Sequence, residues 1–140
     1  MAENWTIFLV DDDIDEADIY SDVISEDKLP LQLRHFKSAD EMLEYLLHNK
    51  APNLIVMDIT LPGINGLECL KMLKSNEKYK NIPVIICTSA HHQKKSEESL
   101  FNGALSYLVK PANFHDYQIL LHNFYNFCSG RTNYKFGKTA

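Results

Sequence analysis

Three kinds of polar side chain stand directly after apolar runs in this chain: carboxylates at Asp11, Asp12 and Asp58, a hydroxyl at Thr88, and an ammonium at Lys110. Three carboxylates pressed together repel and need a counter-charge. An oxygen-only set of this density suits a hard divalent cation. Mg2+ is preferred, because it keeps several waters and is commonly held by one or two carboxylates plus a phosphate. Lys110 adds a point positive charge and Thr88 a hydroxyl donor. Metal, ammonium and hydroxyl together describe a site for a transferring phosphoryl group, whose equatorial oxygens need such partners. Asp58 is then the nucleophile and becomes an aspartyl phosphate.

The elements that must deliver these groups are legible in the hydropathy pattern. Leu54, Ile55, Val56 and Met57 form an unbroken apolar run, which reads as a strand covered on both faces. Pro62 and Gly63 then turn the chain, so Asp58 belongs at the carboxyl edge of a sheet, where α/β proteins bind ligands. Residues 5–10 end in Asp11, Asp12 and Asp13 by the same grammar. Further strands are expected at 31–36, an edge strand, at 84–87, and at 105–109, the last two leading to Thr88 and Lys110.

Helices alternate with these strands. Ile14, Ala17, Tyr20 and Ile24 recur at helical spacing, with Ile19 and Val23 widening the stripe. Asp13, Asp15 and Glu16 suit the positive N-terminal end of that helix. Ser38 and Glu41 have capping-box spacing ahead of Ala39, Met42, Leu43, Leu46 and Leu47. Asn65 is placed to cap a helix with Leu67, Leu70, Met72 and Leu73, and Asn113 one with Phe114, Tyr117, Leu120, Leu121, Phe124 and Tyr125. A helix over 92–101 has only Leu100 and Phe101 as strong anchors, with Gly103 at its C-cap. Few core contacts would leave it mobile.

Five strands alternating with five helices through short right-handed crossovers give an α/β, doubly wound, five-stranded parallel sheet in a three-layer sandwich. The flavodoxin-like order 2-1-3-4-5 sets the first and third strands side by side at the switch point. One cleft then collects Asp11, Asp12, Asp58, Thr88 and Lys110.

Composition bounds the function. A chain of 140 residues, 45% hydrophobic and 24% charged, is one ordinary domain. Its net charge of −5 disfavours nucleic acid. No apolar run reaches membrane-spanning length and no basic, then apolar, signal segment opens the chain, so a cytoplasmic location is expected. Cys69, Cys87 and Cys128 lack metal-type spacing and read as buried thiols. His91 and His92 adjoin the site without a third partner and read as solvent-facing.

The stretches Phe8-Leu9-Val10-Asp11-Asp12-Asp13, Val56-Met57-Asp58-Ile59-Thr60-Leu61-Pro62-Gly63, Asn65-Gly66-Leu67-Glu68, Thr88-Ser89 and Tyr107-Leu108-Val109-Lys110-Pro111 resemble the receiver domain of bacterial two-component response regulators. The motifs occur in the family's order across residues 5–127. A receiver domain over 1–128 and a disordered tail over 129–140 are expected. The resemblance implies that Asp58 accepts a phosphoryl group from a sensor histidine kinase and that Asp12 and Asp58 ligate Mg2+ directly. It further implies that Asp11 acts mostly through water, that the Thr60 carbonyl completes the metal site, that Thr88 and Lys110 bind phosphoryl oxygens, and that Tyr107 is the switch aromatic. A cis peptide between Lys110 and Pro111 is expected to aim the lysine inward.

The sequence departs from the commoner pattern at Ala90, two residues past Thr88, which offers no group to orient a hydrolytic water. The lifetime of the phosphate is left open by that small residue. About 30 residues follow Lys110, too few for another folded domain, so a stand-alone regulator is expected. It would signal by phosphorylation-dependent binding to a downstream protein or pass the group to a histidine phosphotransfer protein, with a homodimer also allowed. A Mg2+-dependent phosphohydrolase is the rival class; it would want an acid two residues past the nucleophile, and Thr60 cannot serve. The protein is therefore expected to catalyse only its own phosphorylation and dephosphorylation.

Overall fold

The computed structural model describes residues 4–131 and residue 136. Its elements run β1 (Trp5–Val10), α1 (Ile14–Glu26), β2 (Leu31–Phe36), α2 (Ala39–His48), β3 (Leu54–Met57), α3 (Gly66–Lys74), β4 (Val84–Thr88), α4 (Gln93–Phe101), β5 (Ser106–Val109) and α5 (Phe114–Cys128). All strand pairs are parallel, as the alternation of strands and helices requires, and the order is β2-β1-β3-β4-β5, the flavodoxin-like order expected.

β3 lies between β1 and β4, and all four of its residues are fully buried. Its side chains alternate between the two faces. Ile55 and Met57 join a core with Met42 and Leu46 of α2 and Leu70 and Leu73 of α3. Leu54 and Val56 join another with Ala17, Tyr20 and Val23 of α1 and Tyr117, Leu121 and Phe124 of α5. Each fully buried side chain of this size contributes about 1.5–3 kcal/mol of transfer free energy, enough to hold the central strand rigidly beneath its loop.

The caps appear where their residue types direct. Asp13 accepts from the Asp15 amide, Ser38 from Glu41, Asn65 from Glu68 and Asn113 from Asp116. Asn65 and Glu68 satisfy each other's amides reciprocally, which pins the start of α3 next to the loop that carries Asp58. No helix among the described residues is long and apolar enough to cross a membrane.

Two helices turn differently from their apolar spacing. On α1, Ile14 is 52% exposed, while Glu16, Ala17, Tyr20 and Val23 face inward. On α4, Phe101 is 90% exposed and the buried residues are Ser96 and Ser99. Small side chains let α4 approach the sheet closely, whereas the Phe101 ring lies at the end of the helix. His91 and His92 are exposed, as expected. Cys69 and Cys87 are buried free thiols and Cys128 is half-buried.

Of the tail expected over 129–140, residues 132–135 and 137–140 lie outside the described residues. Arg131 lies over the Tyr125 ring at 5.4 Å, and the Phe136 ring packs on Phe124 and Phe127 at 6.0 and 5.8 Å.

Candidate phosphoacceptor site

Asp58 follows β3 and is 7% exposed, and its backbone N–H donates to the Val10 carbonyl at 2.9 Å. Asp11 follows β1, is 1% exposed, and donates its N–H to the Phe36 carbonyl at 3.0 Å. Both carboxylates therefore leave neighbouring strands at the same edge of the sheet. Lys110 follows β5, where its N–H donates to the Thr88 carbonyl at 2.8 Å. Its Nζ lies 2.8 Å from Asp11 Oδ2 and 3.0 Å from Asp58 Oδ2. One ammonium thus bridges the two acids.

Each carboxylate also has a backbone partner on its other oxygen. Asp11 Oδ1 accepts from the Asp13 N–H at 2.9 Å, and Asp58 Oδ1 from the Thr60 N–H at 3.1 Å. Burial raises the pKa of Asp11 above the ordinary aspartate value, against the opposing pull of Lys110 and the Asp13 amide. Burial disfavours the Lys110 ammonium, but hydrogen bonds and charge from Asp11 and Asp58 outweigh it and lift its pKa above the ordinary lysine value. The stability this contributes is fully present below the ordinary lysine pKa and is lost only as pH rises through the higher folded value. Across neutral pH the bridge keeps its charge.

The remaining expected groups are distributed around this triad. Thr88 ends β4 and is 5% exposed, whereas the side chains of Asp12 and Thr60 are exposed in their loops. Tyr107 of β5 is 1% exposed, its hydroxyl donates to the Ala90 carbonyl at 3.4 Å, and the His91 ring meets it edge-on at 5.7 Å. Tyr107 lies inward in this arrangement. The Ala90 carbonyl supplies the reason, since a buried hydroxyl needs an acceptor.

The expected cis bond before Pro111 is not present; no cis peptide occurs among the described residues. Lys110 reaches both acids through a trans linkage because β5 itself ends beside Thr88, and the long lysine side chain covers the rest of the distance.

Four supporting residues have no site role assigned from the sequence, although Asp13 and Gly66 lie in the receiver-like motifs. His35 on β2 donates through Nε2 to the Asp11 carbonyl at 2.7 Å, tying the end of β1 to the neighbouring strand. Asp13 both caps α1 and holds Asp11 through its amide. Gly66 starts α3 against the loop, where a Cβ would collide with the Asp58 carbonyl oxygen and lie 2.8 Å from Ile59 Cα. Glu16, readable only as the solvated start of a helix, is 4% exposed and accepts from the Tyr117 hydroxyl at 2.7 Å.

Asp11 and Asp58 are oxygen donors that are buried together and already share a cation, a demand that a hard divalent ion also meets. No cluster of three or more His, Cys, Asp or Glu side chains is set for a metal among the described residues. By donor chemistry the acids fit Mg2+, with Asp12 the nearest further acid in sequence and the Thr60 carbonyl a further oxygen.

Residues 7–121 match the sequence profile of the response regulator receiver domain. The chain belongs to that family. Among similar proteins, two-component response regulator ARR15 of Arabidopsis thaliana is 39% identical over 64 residues, 46% of this chain and 31% of that protein. Two-component response regulator ORR6 of Oryza sativa subsp. japonica is 30% identical over 107 residues, 75% of this chain and 62% of that protein. The chain spans less than two thirds of either relative. The fold is also that of the phosphorylated cyanobacterial phytochrome response regulator RcpA, with a TM-score of 0.83 at 24% identity over 94% of this chain and 98% of that one. The Mn(2+)-bound form of response regulator Rcp1 aligns with a TM-score of 0.80 at 23% identity over 94% and 99% of the two chains. In this receiver domain, the matched region contains Asp11, Asp58, Thr88 and Lys110.

Proposed function

We propose that this receiver domain accepts a phosphoryl group on Asp58 from a histidine kinase and signals by changing its affinity for a downstream protein. The observation that carries the reading is the Lys110 bridge between Asp58 and Asp11 at the end of the two central strands. An Asp58 oxygen attacks phosphorus, the donor's bond to phosphorus breaks, and the donor leaves with the electron pair. Lys110 transfers its hydrogen bond to a phosphoryl oxygen, and the Thr88 hydroxyl donates to another. Mg2+, when bound, neutralises the charge gathered on the phosphoryl oxygens. The chemistry is confined to the protein's own carboxylate. Incubation with acetyl phosphate and Mg2+ is expected to add one phosphoryl group, mapped to Asp58 by mass spectrometry. A label on any other residue, or none, removes the assignment.

Asp12→Ala is expected to weaken Mg2+ binding, because the cation loses a carboxylate donor. The metal-free protein should keep or gain stability as repulsion in the acid cluster falls. Calorimetric titration and thermal melting check this. Unchanged affinity together with lower stability counts against Asp12 as a ligand.

The signal has a physical route. Thr88 and Ala90 belong to one short segment, so drawing the Thr88 hydroxyl toward a phosphoryl oxygen also moves the carbonyl that holds Tyr107. The neighbouring surface is apolar: Phe101, Leu105, Val109, Phe114 and Ile119 are all exposed along α4, β5 and α5. Partners are proposed to bind there. A coupling of about 1–3 kcal/mol is typical, roughly a 5- to 150-fold change in affinity. Thr88→Ala should still be phosphorylated in part yet lose most of that change. Full coupling retained in Thr88→Ala, measured with the cognate partner, rules this route out.

A further inference from the structure

α1 buries a carboxylate where its inward face is otherwise Ala17, Tyr20 and Val23. Such a group is costly in an apolar layer unless hydrogen-bonded, and Glu16 has one strong donor, the Tyr117 hydroxyl of α5 at 2.7 Å. No cation lies within ion-pair distance of Glu16 among the described residues. The backbone ties it to the site: the Glu16 N–H donates to the Asp13 carbonyl at 3.2 Å, and the Asp13 N–H donates to Asp11 Oδ1 at 2.9 Å. Burial raises the Glu16 pKa above its ordinary value, and the Tyr117 hydrogen bond opposes that shift by favouring the carboxylate. The surroundings are unusually polar for a core. Tyr20 is fully buried, its ring centroid is 6.2 Å from that of Tyr117, and its hydroxyl has no hydrogen-bond partner among the described residues. Cys87, 3% exposed, adjoins Thr88 on β4. A charge enclosed in this way is poorly screened by salt and acts over a longer distance than a surface one.

We propose that the buried Glu16–Tyr117 pair is a positioning element of the phosphoacceptor site: Glu16 supplies a fourth negative charge at the start of α1, linked to Asp11 through Asp13, that raises the site's affinity for a divalent cation, and Tyr117 holds that charge in place from α5. The inference rests on the reading of Asp11, Asp12 and Asp58 as a Mg2+ site. Glu16 does not ligate the cation and touches no reacting atom. It acts through the field it adds to the acids that do.

The test separates charge from packing. Glu16→Gln keeps an acceptor of the same shape for Tyr117 and removes the charge, whereas Glu16→Asp keeps the charge and shortens the side chain. Mg2+ is titrated calorimetrically into the full chain and each variant, with circular dichroism reporting the fold. Glu16→Gln is expected to bind Mg2+ roughly three- to tenfold more weakly, and Glu16→Asp to stay within about twofold of wild type. Equal affinity in wild type and a folded Glu16→Gln overturns the inference and leaves the Mg2+ site standing. A folded Glu16→Asp that binds Mg2+ roughly three- to tenfold more weakly than wild type also overturns it, because shape and not charge would then matter; that arm is read against wild type and decides even where Glu16→Gln does not fold. Wild-type protein that binds no Mg2+ overturns both the inference and the reading beneath it.

Discussion

Replacing Asp58 by Asn is expected to abolish phosphoryl incorporation from acetyl phosphate while leaving the fold intact. Asn is close to Asp in shape, and its side-chain oxygen can still accept from the Thr60 amide, which in the native protein lies 3.1 Å from Asp58 Oδ1. It lacks the anionic oxygen that attacks phosphorus, so the loss should be complete and not partial. Stability changes little in comparison. The bridge to Lys110 loses one of its two anions but keeps Asp11, whose Oδ2 is 2.8 Å from Nζ, so the ammonium is not stranded. Intact mass after incubation reads the first effect and a thermal melt the second. Incorporation persisting at the wild-type level in Asp58→Asn would place the nucleophile elsewhere.

The second large effect is expected at a residue with no functional group. Gly66→Ala is usually favourable in a helix, by up to about 1 kcal/mol. Here the added methyl would collide with the Asp58 carbonyl oxygen and press on Ile59 Cα at 2.8 Å, both backbone atoms that cannot rotate away. Overpacking of this kind costs about 1–3 kcal/mol, occasionally more, which exceeds the propensity gain. Relief requires α3 to move off the loop, and the loop carries Asp58, the proposed nucleophile. We therefore expect a lower melting temperature together with slower Asp58 phosphorylation. A variant as stable and as reactive as wild type would mean that the loop yields freely.

The fold could be read from the sequence wherever one physical demand dominated. Leu54 to Met57 had to be a central strand because four apolar residues in a row admit no wet face, and the capping types at Ser38, Asn65 and Asn113 have one economical use each. The sequence was less informative where the demand was relative. Periodicity places Ile14 with Ala17 and Tyr20, but the chain enters α1 through the Asp13 cap, and that entry turns Glu16 inward and Ile14 out. Ser96 and Ser99 read as polar, yet small residues are what a helix pressed close to a sheet can bury. His35 and the Glu16–Tyr117 link pair residues far apart in the chain, and no local pattern carries such a signal. The expectation of a bend before Pro111 failed because strand position, not peptide geometry, aims Lys110.

The Lys110 bridge also bears on how the chain assembles. Asp58 and Lys110 are 52 residues apart, so their contact forms only once β4 and β5 have joined the sheet. Until then the carboxylates of the first and third strands face each other without their ammonium, and their repulsion disfavours a partly built sheet. β5 is the strand that brings the neutralising charge. A chain clipped before β5 should accordingly be both less stable and, on the proposed reading, unable to bind a phosphoryl group through Lys110, so competence to receive a signal would double as a check that the sheet is fully built.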